Sequence, residues 1–139
     1  MLHMTLEADY AVRIVELLAA SQKRTDAHTI SEMTQVPLRF ALKILRKLVG
    51  SGLVQSYKGA KGGYQVTRDP SSITLREVIE SVEGPYMLSR CQQEEYCCNH
   101  HSCQFYHAYA EISRMVREKL DTYTFAFPNG KEEKEPSSQ

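Results

Sequence analysis

The chain has 139 residues, of which 42% are hydrophobic and 24% are charged. This length suits one domain with a short extension, and the composition is that of a globular protein and not of a disordered one. The 17 basic and 17 acidic residues cancel, which excludes a strongly basic chain overall. No apolar run approaches the roughly 20 residues of a membrane span and no signal-peptide pattern opens the sequence, so we expect a cytoplasmic protein with no membrane partner.

Two helices are predicted first along the chain. Thr5 can cap the first helix, in which apolar residues recur at helical spacing up to about Ala20. The segment Thr29-Ile30-Ser31-Glu32 matches a capping box, which predicts a short second helix over residues 30–35.

A third helix is predicted from Pro37, which suits a first helical turn, to Val49, just before Gly50 and Gly52. Its apolar residues are spaced to form one buried face, and its basic residues fall on the other side. The expected buried positions are Leu38, Ala41, Leu42, Leu45, Leu48 and Val49. The expected outward positions are Arg39, Phe40, Lys43 and Arg46, with Lys47 beside them.

Two short strands, residues 53–57 and 64–67, flank a glycine-rich loop that contains Lys58 and Lys61. Three glycines in this loop permit a tight turn and a close approach to a partner. From Met33 to Arg68 the chain has seven basic residues and no acidic one, which indicates a polyanionic partner for this stretch.

The order helix, short helix, basic helix and glycine-tipped hairpin predicts a winged helix-turn-helix domain. A basic helix with one buried face can enter the DNA major groove, and a Gly/Lys hairpin can lie on the phosphate backbone. The predicted DNA-binding residues are Arg39, Phe40, Lys43, Arg46, Lys47, Lys58 and Lys61. The alternative for one such helix taken alone is that its Lys and Arg side chains merely solvate a surface.

After the hairpin, a second capping box at Thr74 predicts a helix to about Val82, which Gly84 ends. Further along, apolar residues keep helical spacing from Phe105 to Tyr123. This stripe is too long for one small domain to cover, so we expect it to form a dimer interface. We therefore divide the mainly α-helical chain into a winged domain (1–84), a cysteine-rich loop (85–103), a dimerisation helix (104–127) and a tail expected to be disordered (128–139).

All four cysteines, Cys91, Cys97, Cys98 and Cys103, lie within 13 residues. In a cytoplasmic protein such a cluster indicates a metal or redox site more than a disulfide framework. Cys91, Cys97 and Cys103 are evenly spaced, and a loop can fold three such thiolates around one centre. Thiolates bind iron–sulfur clusters and zinc, although structural zinc usually shows closer cysteine pairs. An iron–sulfur cluster, zinc and metal-free thiols all stay open.

Together, the winged domain and the spaced cysteines resemble the Rrf2 family of bacterial transcription regulators over about residues 4–125. The cysteines fall where cluster-binding members of that family carry theirs. The other matching segments are Asp9-Tyr10-Ala11-Val12, Gly52-Leu53-Val54, Gly62-Gly63-Tyr64 and Ser72-Ile73-Thr74-Leu75.

This resemblance implies a homodimer with crossed C-terminal helices, in which each cysteine loop holds an iron–sulfur cluster. In NsrR-like members an acidic residue near the partner's N-terminus completes the site, and Asp9 occupies that position here. In IscR-like members a histidine three residues after the third cysteine serves instead; here that position is Tyr106, and His107 follows it. The residues alone explain Asp9 equally as a solvated carboxylate early in a helix.

The resemblance therefore implies a cluster bound by Cys91, Cys97, Cys103 and Asp9, with Cys98 and His107 as alternate ligands. A four-iron cluster is favoured and a two-iron cluster is the alternative. The expected function is a repressor that binds double-stranded operator DNA and senses nitric oxide, redox state or iron–sulfur status. No catalytic constellation and no small-molecule substrate are expected. The alternative is a metal-free thiol or zinc sensor, acting as a winged-helix regulator or through a protein partner.

Overall fold

A computed structural model describes residues 4–92 and 104–126. Within these ranges the fold is mainly helical with one two-stranded hairpin, which confirms the predicted fold class. None of the described helices combines the length and apolarity that crossing a membrane requires. The elements are α1 (Leu6–Ser21), α2 (Ala27–Thr34), α3 (Leu38–Gly50), β1 (Val54–Tyr57), β2 (Gly63–Val66), α4 (Leu75–Glu83) and α5 (Gln104–Asp121), with single 3-10 turns at Pro70–Ser72 and Arg90–Gln92.

The core lies where α1 packs against α2, α3 and α4. Thr5 caps α1 as predicted, because its side chain accepts a hydrogen bond from the N–H of Ala8. The side of α1 that faces the core carries three alanines, which let its neighbours approach closely. The largest fully buried side chains include Ile14, Leu18, Ile30, Ile44, Leu45, Leu48, Ile73 and Val78.

The predicted start of α2 is wrong by three residues. Asp26 is the N-cap, and its carboxylate accepts hydrogen bonds from both the backbone N–H and the hydroxyl of Thr29. Thr29, which the sequence suggested as the cap, therefore lies inside the first turn. An aspartate carboxylate is a better cap than a threonine hydroxyl, so the earlier residue starts the helix.

The buried face of α3 also differs from the prediction. Ala41, Ile44, Leu45 and Leu48 are the buried positions, and this set keeps the spacing of a single helical stripe. Leu42 and Val49 are 43% and 37% exposed, and Leu38 is half-buried. Packing against both α1 and α4 selects the stripe that includes Ile44, which the sequence analysis omitted.

The wing is tied to the segment before α2. In the hairpin, Val54 pairs with Val66 and Tyr57 with Gly63. Thr25 adds a one-residue bridge, in which its N–H and C=O bond the backbone of Tyr64 at 3.0 and 2.8 Å. Gly63 has φ +140°, and a Cβ there would lie 2.8 Å from the Thr25 carbonyl. Only glycine allows this contact, which holds the wing beside the helical core.

Beyond the wing, the capping box at Thr74 is confirmed, with reciprocal hydrogen bonds between Thr74 and Glu77. The C-terminal end of α5 is fixed to this region, because the Leu75 N–H bonds the Tyr123 carbonyl at 2.9 Å and Phe125 is buried. The rest of α5 leaves large apolar side chains exposed. These are Phe105, Tyr106, Ile112 and Met115, together with Tyr123 at its end.

Candidate nucleic-acid interface and cysteine segment

The outer side of α3 carries the side chains that the sequence predicted to contact DNA. Arg39, Phe40, Lys43 and Arg46 are exposed, and Lys47 is half-buried. Among the described residues, Arg39 and Arg46 form no ion pair, so both guanidinium groups are available to a partner. The two lysines are engaged differently.

Lys43 and Lys47 both contact Glu7, in the first turn of α1. Lys43 Nζ lies 2.6 Å from Glu7 Oε1, and Lys47 Nζ lies 2.9 Å from Oε2. Hydrogen bonds from Lys43 and then Lys47 lower the pKa of Glu7 below its ordinary value, so this carboxylate stays ionised at neutral pH. Lys47 also donates to the Val82 carbonyl at 3.4 Å, which ties α3 to the end of α4. Glu7 carries no signal of this role in the sequence, since no local pattern connects it to α3.

Asp9 lies on α1, where its carboxylate pairs with Arg13 at 2.9 Å. The Arg13 guanidinium lies 5.8 Å from the centre of the Tyr10 ring. That ring in turn lies 6.2 Å from the Phe40 ring at the start of α3. A line of contacts therefore runs from the predicted ligand Asp9 to a predicted DNA-binding residue.

The wing tip presents its two predicted cations, Lys58 and Lys61, as exposed side chains. The structure adds a third cation beside them, because the Arg24 guanidinium stacks 3.6 Å from the centre of the Tyr57 ring. Arg24 precedes α2 and lies outside the acid-free stretch, so the sequence offered only its basic charge as a signal. Arg68, at the end of that stretch, pairs with Glu77.

Between α3 and the wing lies an open groove with an apolar floor and one cation. Leu42, Arg46 and Val49 line it from α3, and Ser56 and Tyr64 line it from the hairpin. Because α3 is oriented about its axis with Ile44 in the core, Leu42 and Val49 lie on this groove. The helix and the wing therefore share one continuous surface.

Of the predicted metal ligands, Cys91, Asp9 and His107 fall in the described residues; Cys97, Cys98 and Cys103 lie outside them. Cys91 is a free, half-buried thiol in the turn at Arg90–Gln92, with its Sγ 3.2 Å from Ser89 Oγ. His107 is exposed on α5 against the Tyr106 ring. In residues 4–92 and 104–126, no three His, Cys, Asp or Glu side chains lie close enough together to hold a metal ion.

A buried serine on α5 holds the turn that carries Cys91. Ser113 is 1% exposed, and its hydroxyl accepts the Leu88 N–H at 2.9 Å. The hydroxyl also lies 2.7 Å from Gln92 Oε1 and 2.8 Å from the Tyr109 carbonyl, either of which can take its proton. The Cys91 side chain therefore lies on a turn that is hydrogen-bonded to α5, and cysteine sulfur is a soft ligand of the kind that iron and zinc bind.

Comparison with known proteins identifies one family. The family model Rrf2, described as an iron-dependent transcriptional regulator, matches residues 4–127. The transcriptional regulator IscR of Yersinia pseudotuberculosis is 30% identical over 97 residues, which cover 70% of this chain and 59% of that relative.

Solved structures show the same fold. CymR, the global cysteine regulator of B. subtilis, superposes with a TM-score of 0.72 at 25% identity, covering 90% of this chain and 94% of CymR. IscR from T. potens superposes with a TM-score of 0.71 at 21% identity, covering 89% and 83% of the two chains.

The Ser113 anchor gives a stability prediction. Ser113→Ala leaves the Leu88 N–H and Gln92 without their buried partner, so we expect a loss of roughly 1–3 kcal/mol in the free energy of unfolding. Alkylation of Cys91 by iodoacetamide should also become faster, in a protein whose other three cysteines are replaced by alanine. The control is Ser81→Ala, since the one side-chain hydrogen bond of Ser81 among the described residues goes to the Val78 carbonyl within its own helix. Equal stability of the two variants would contradict the anchoring role.

Proposed function

Because the chain belongs to the Rrf2 family of transcriptional regulators, we propose that it binds operator DNA through α3 and the wing and is regulated through its cysteine segment. Members of this family are DNA-binding proteins and not enzymes. The observation that supports the proposal most directly is the surface shared by α3 and the hairpin. Across the acid-free stretch, Arg39, Arg46, Lys58 and Lys61 are exposed cations with no carboxylate partner among the described residues.

We assign base reading to α3 and backbone contact to the wing. A helix that buries one stripe on its own domain can insert the opposite side into the major groove, and this places Arg39 and Phe40 near base edges. An arginine can bond guanine with two donors, and an aromatic ring can contact a thymine methyl group. Lys58 and Lys61, on a glycine-rich turn, suit phosphate contacts that carry no sequence information.

Two substitutions separate these roles. Arg39→Ala should cost roughly 1–3 kcal/mol on a duplex selected for tight binding and relax its sequence preference. Lys61→Ala should weaken all duplexes alike and reduce the slope of log K against log salt by about 0.9. Fluorescence anisotropy over a salt series measures both quantities.

The matched control is Lys119→Ala, which removes the same charge from α5. The assignment is wrong if Arg39→Ala leaves affinity for the selected duplex unchanged, or if Lys61→Ala and Lys119→Ala have the same salt slope.

We propose that α5 forms a homodimer. Its C-terminal end is fixed to α4, whereas four large apolar side chains in its N-terminal two-thirds have no cover within the described chain. A two-fold dimer would place two copies of α3 on successive turns of a palindromic operator.

Ile112→Glu should therefore shift the protein to monomer at micromolar concentration in sedimentation velocity, because it places a charge in the proposed interface. Arg114→Glu is the control, since position 114 lies on nearly the opposite side of the helix. A wild-type protein that sediments as a monomer would refute the dimer.

We propose that the cysteine segment, residues 91–103, holds an iron–sulfur cluster; by resemblance to the family, ligation by a carboxylate favours four irons, and a two-iron cluster is the alternative. The support is the even spacing of Cys91, Cys97 and Cys103, the free Cys91 thiol on its anchored turn, and the iron dependence that describes the family. Such a cluster supplies a centre that nitric oxide, oxygen or iron loss destroys. Asp9, from the partner subunit, is the proposed fourth ligand.

The contacts of Asp9 with Arg13, of Arg13 with Tyr10 and of Tyr10 with Phe40 connect the proposed ligand to the surface that is proposed to bind DNA. A carboxylate is a harder and weaker ligand for iron than a thiolate, so Asp9 is the ligand expected to leave first. Within its own chain Asp9 pairs with Arg13, which lies beside Tyr10 and, through it, Phe40. If Asp9 were to serve as a ligand, its pairing with Arg13 would change, and Arg13 lies on the path of contacts that leads to Phe40 on α3.

Ligand substitutions test this proposal in protein purified without oxygen. Alanine at Cys91, Cys97 or Cys103 should abolish the visible absorbance, and Asp9→Ala should leave a cluster that forms but is lost faster. Cys98→Ala is the matched control and should be nearly silent. If Cys98→Ala removes the cluster while Cys97→Ala retains it, the proposed ligand set is wrong.

A metal-free thiol sensor is the second candidate. The observation that favours it is the structural likeness to CymR, which is named for cysteine regulation. In that case the anaerobic protein would contain no iron, and oxidation of the thiols alone would change DNA affinity.

A further inference from the structure

The cations on the outer side of α3 fall into two groups that the sequence does not distinguish. Arg39 and Arg46 have no ion-pair partner among the described residues, whereas Lys43 and Lys47 share the carboxylate of Glu7. Glu7, on α1, therefore adds a negative charge beside the outer side of α3, although the stretch from Met33 to Arg68 contains no acidic residue.

The two lysines are held differently. Lys47 is 36% exposed and is fixed from two sides, by Glu7 and by the Val82 carbonyl. Lys43 is 57% exposed, and Glu7 is its only ion-pair partner within the described chain. Because Lys43 has no second hydrogen-bond partner among the described residues, it can turn from Glu7 to another anion, while Lys47 keeps its bond to the Val82 carbonyl.

An exposed ion pair is weak, so a DNA phosphate can compete with Glu7 for Lys43. Each phosphate that a lysine neutralises adds to the affinity for DNA of any sequence. While the Glu7 carboxylate pairs with Lys43, this lysine contributes less to the sequence-independent affinity for DNA. The base contacts proposed for Arg39 are unchanged.

We propose that Glu7 limits the sequence-independent affinity of the protein for DNA, because its carboxylate competes with DNA phosphate for Lys43. This inference rests on the proposed binding of DNA by α3. Glu7 does not itself touch DNA in this account; it is a positioning residue whose effect passes through one lysine.

The test is Glu7→Gln, which removes the charge and keeps a side chain of the same size. We expect affinity for random-sequence duplex to rise roughly two- to fivefold at about 100 mM salt, with a slope against log salt that is steeper by about 0.9. The affinity for the selected duplex should rise by a similar factor, because a phosphate contact carries no sequence information. The matched control is Glu16→Gln, which removes the same charge from an exposed position of α1 that forms no ion pair among the described residues.

A double-mutant cycle separates competition for Lys43 from a structural effect of the substitution. In a Lys43→Ala background, Glu7→Gln should no longer raise random-duplex affinity, whereas an effect of the substitution that does not pass through Lys43 should persist there. The inference is overturned if Glu7→Gln and Glu16→Gln bind random duplex equally, or if the gain survives in the Lys43→Ala background. A wild-type protein that shows no salt-dependent binding to any duplex would instead overturn the proposed DNA function itself.

Discussion

The buried side of α1 is the constraint on which the rest of the structure depends. Ala8, Ala11 and Ala19 lie there together with Ile14, Val15 and Leu18, and all six are buried. Small side chains at these positions let α3 and α4 pack closely against one helix, and this contact sets which stripe of α3 is buried. The sizes of the buried side chains of α1 therefore determine which side of α3 is exposed. This exposed side is the surface proposed to bind DNA.

The first two turns of α1 place three different contacts within a few residues. Glu7 reaches the lysines of α3, Tyr10 lies near Phe40, and Asp9 is held by Arg13. A change at Asp9 can therefore affect α3 through Arg13 and Tyr10, since Tyr10 lies near Phe40. Ser113 fixes the Cys91 turn to α5 in a comparable way. The turn that carries Cys91 is thus hydrogen-bonded to α5, and α3 is ion-paired with α1.

Local signals in the sequence predicted the order and type of the elements well. The capping box at Thr74 and the glycines around the hairpin act within a few residues, so the sequence alone reveals them. Predictions failed where contacts between residues far apart in the sequence determine which side chains are buried or paired. Leu42 and Ile44 are both apolar, and only packing on α1 and α4 selects Ile44 for the core. For the same reason, the pairing of Glu7 with Lys43 and Lys47 across α1 and α3 could not be foreseen.

The central claim is that the state of the cysteine segment changes DNA affinity. The most direct measurement compares iron-loaded and iron-free protein, both handled without oxygen, on one duplex selected for tight binding. A coupling free energy of about 1–3 kcal/mol would appear as a difference of roughly 5–150-fold in the dissociation constant. An iron-loaded protein that binds this duplex as tightly as the iron-free protein would contradict the account.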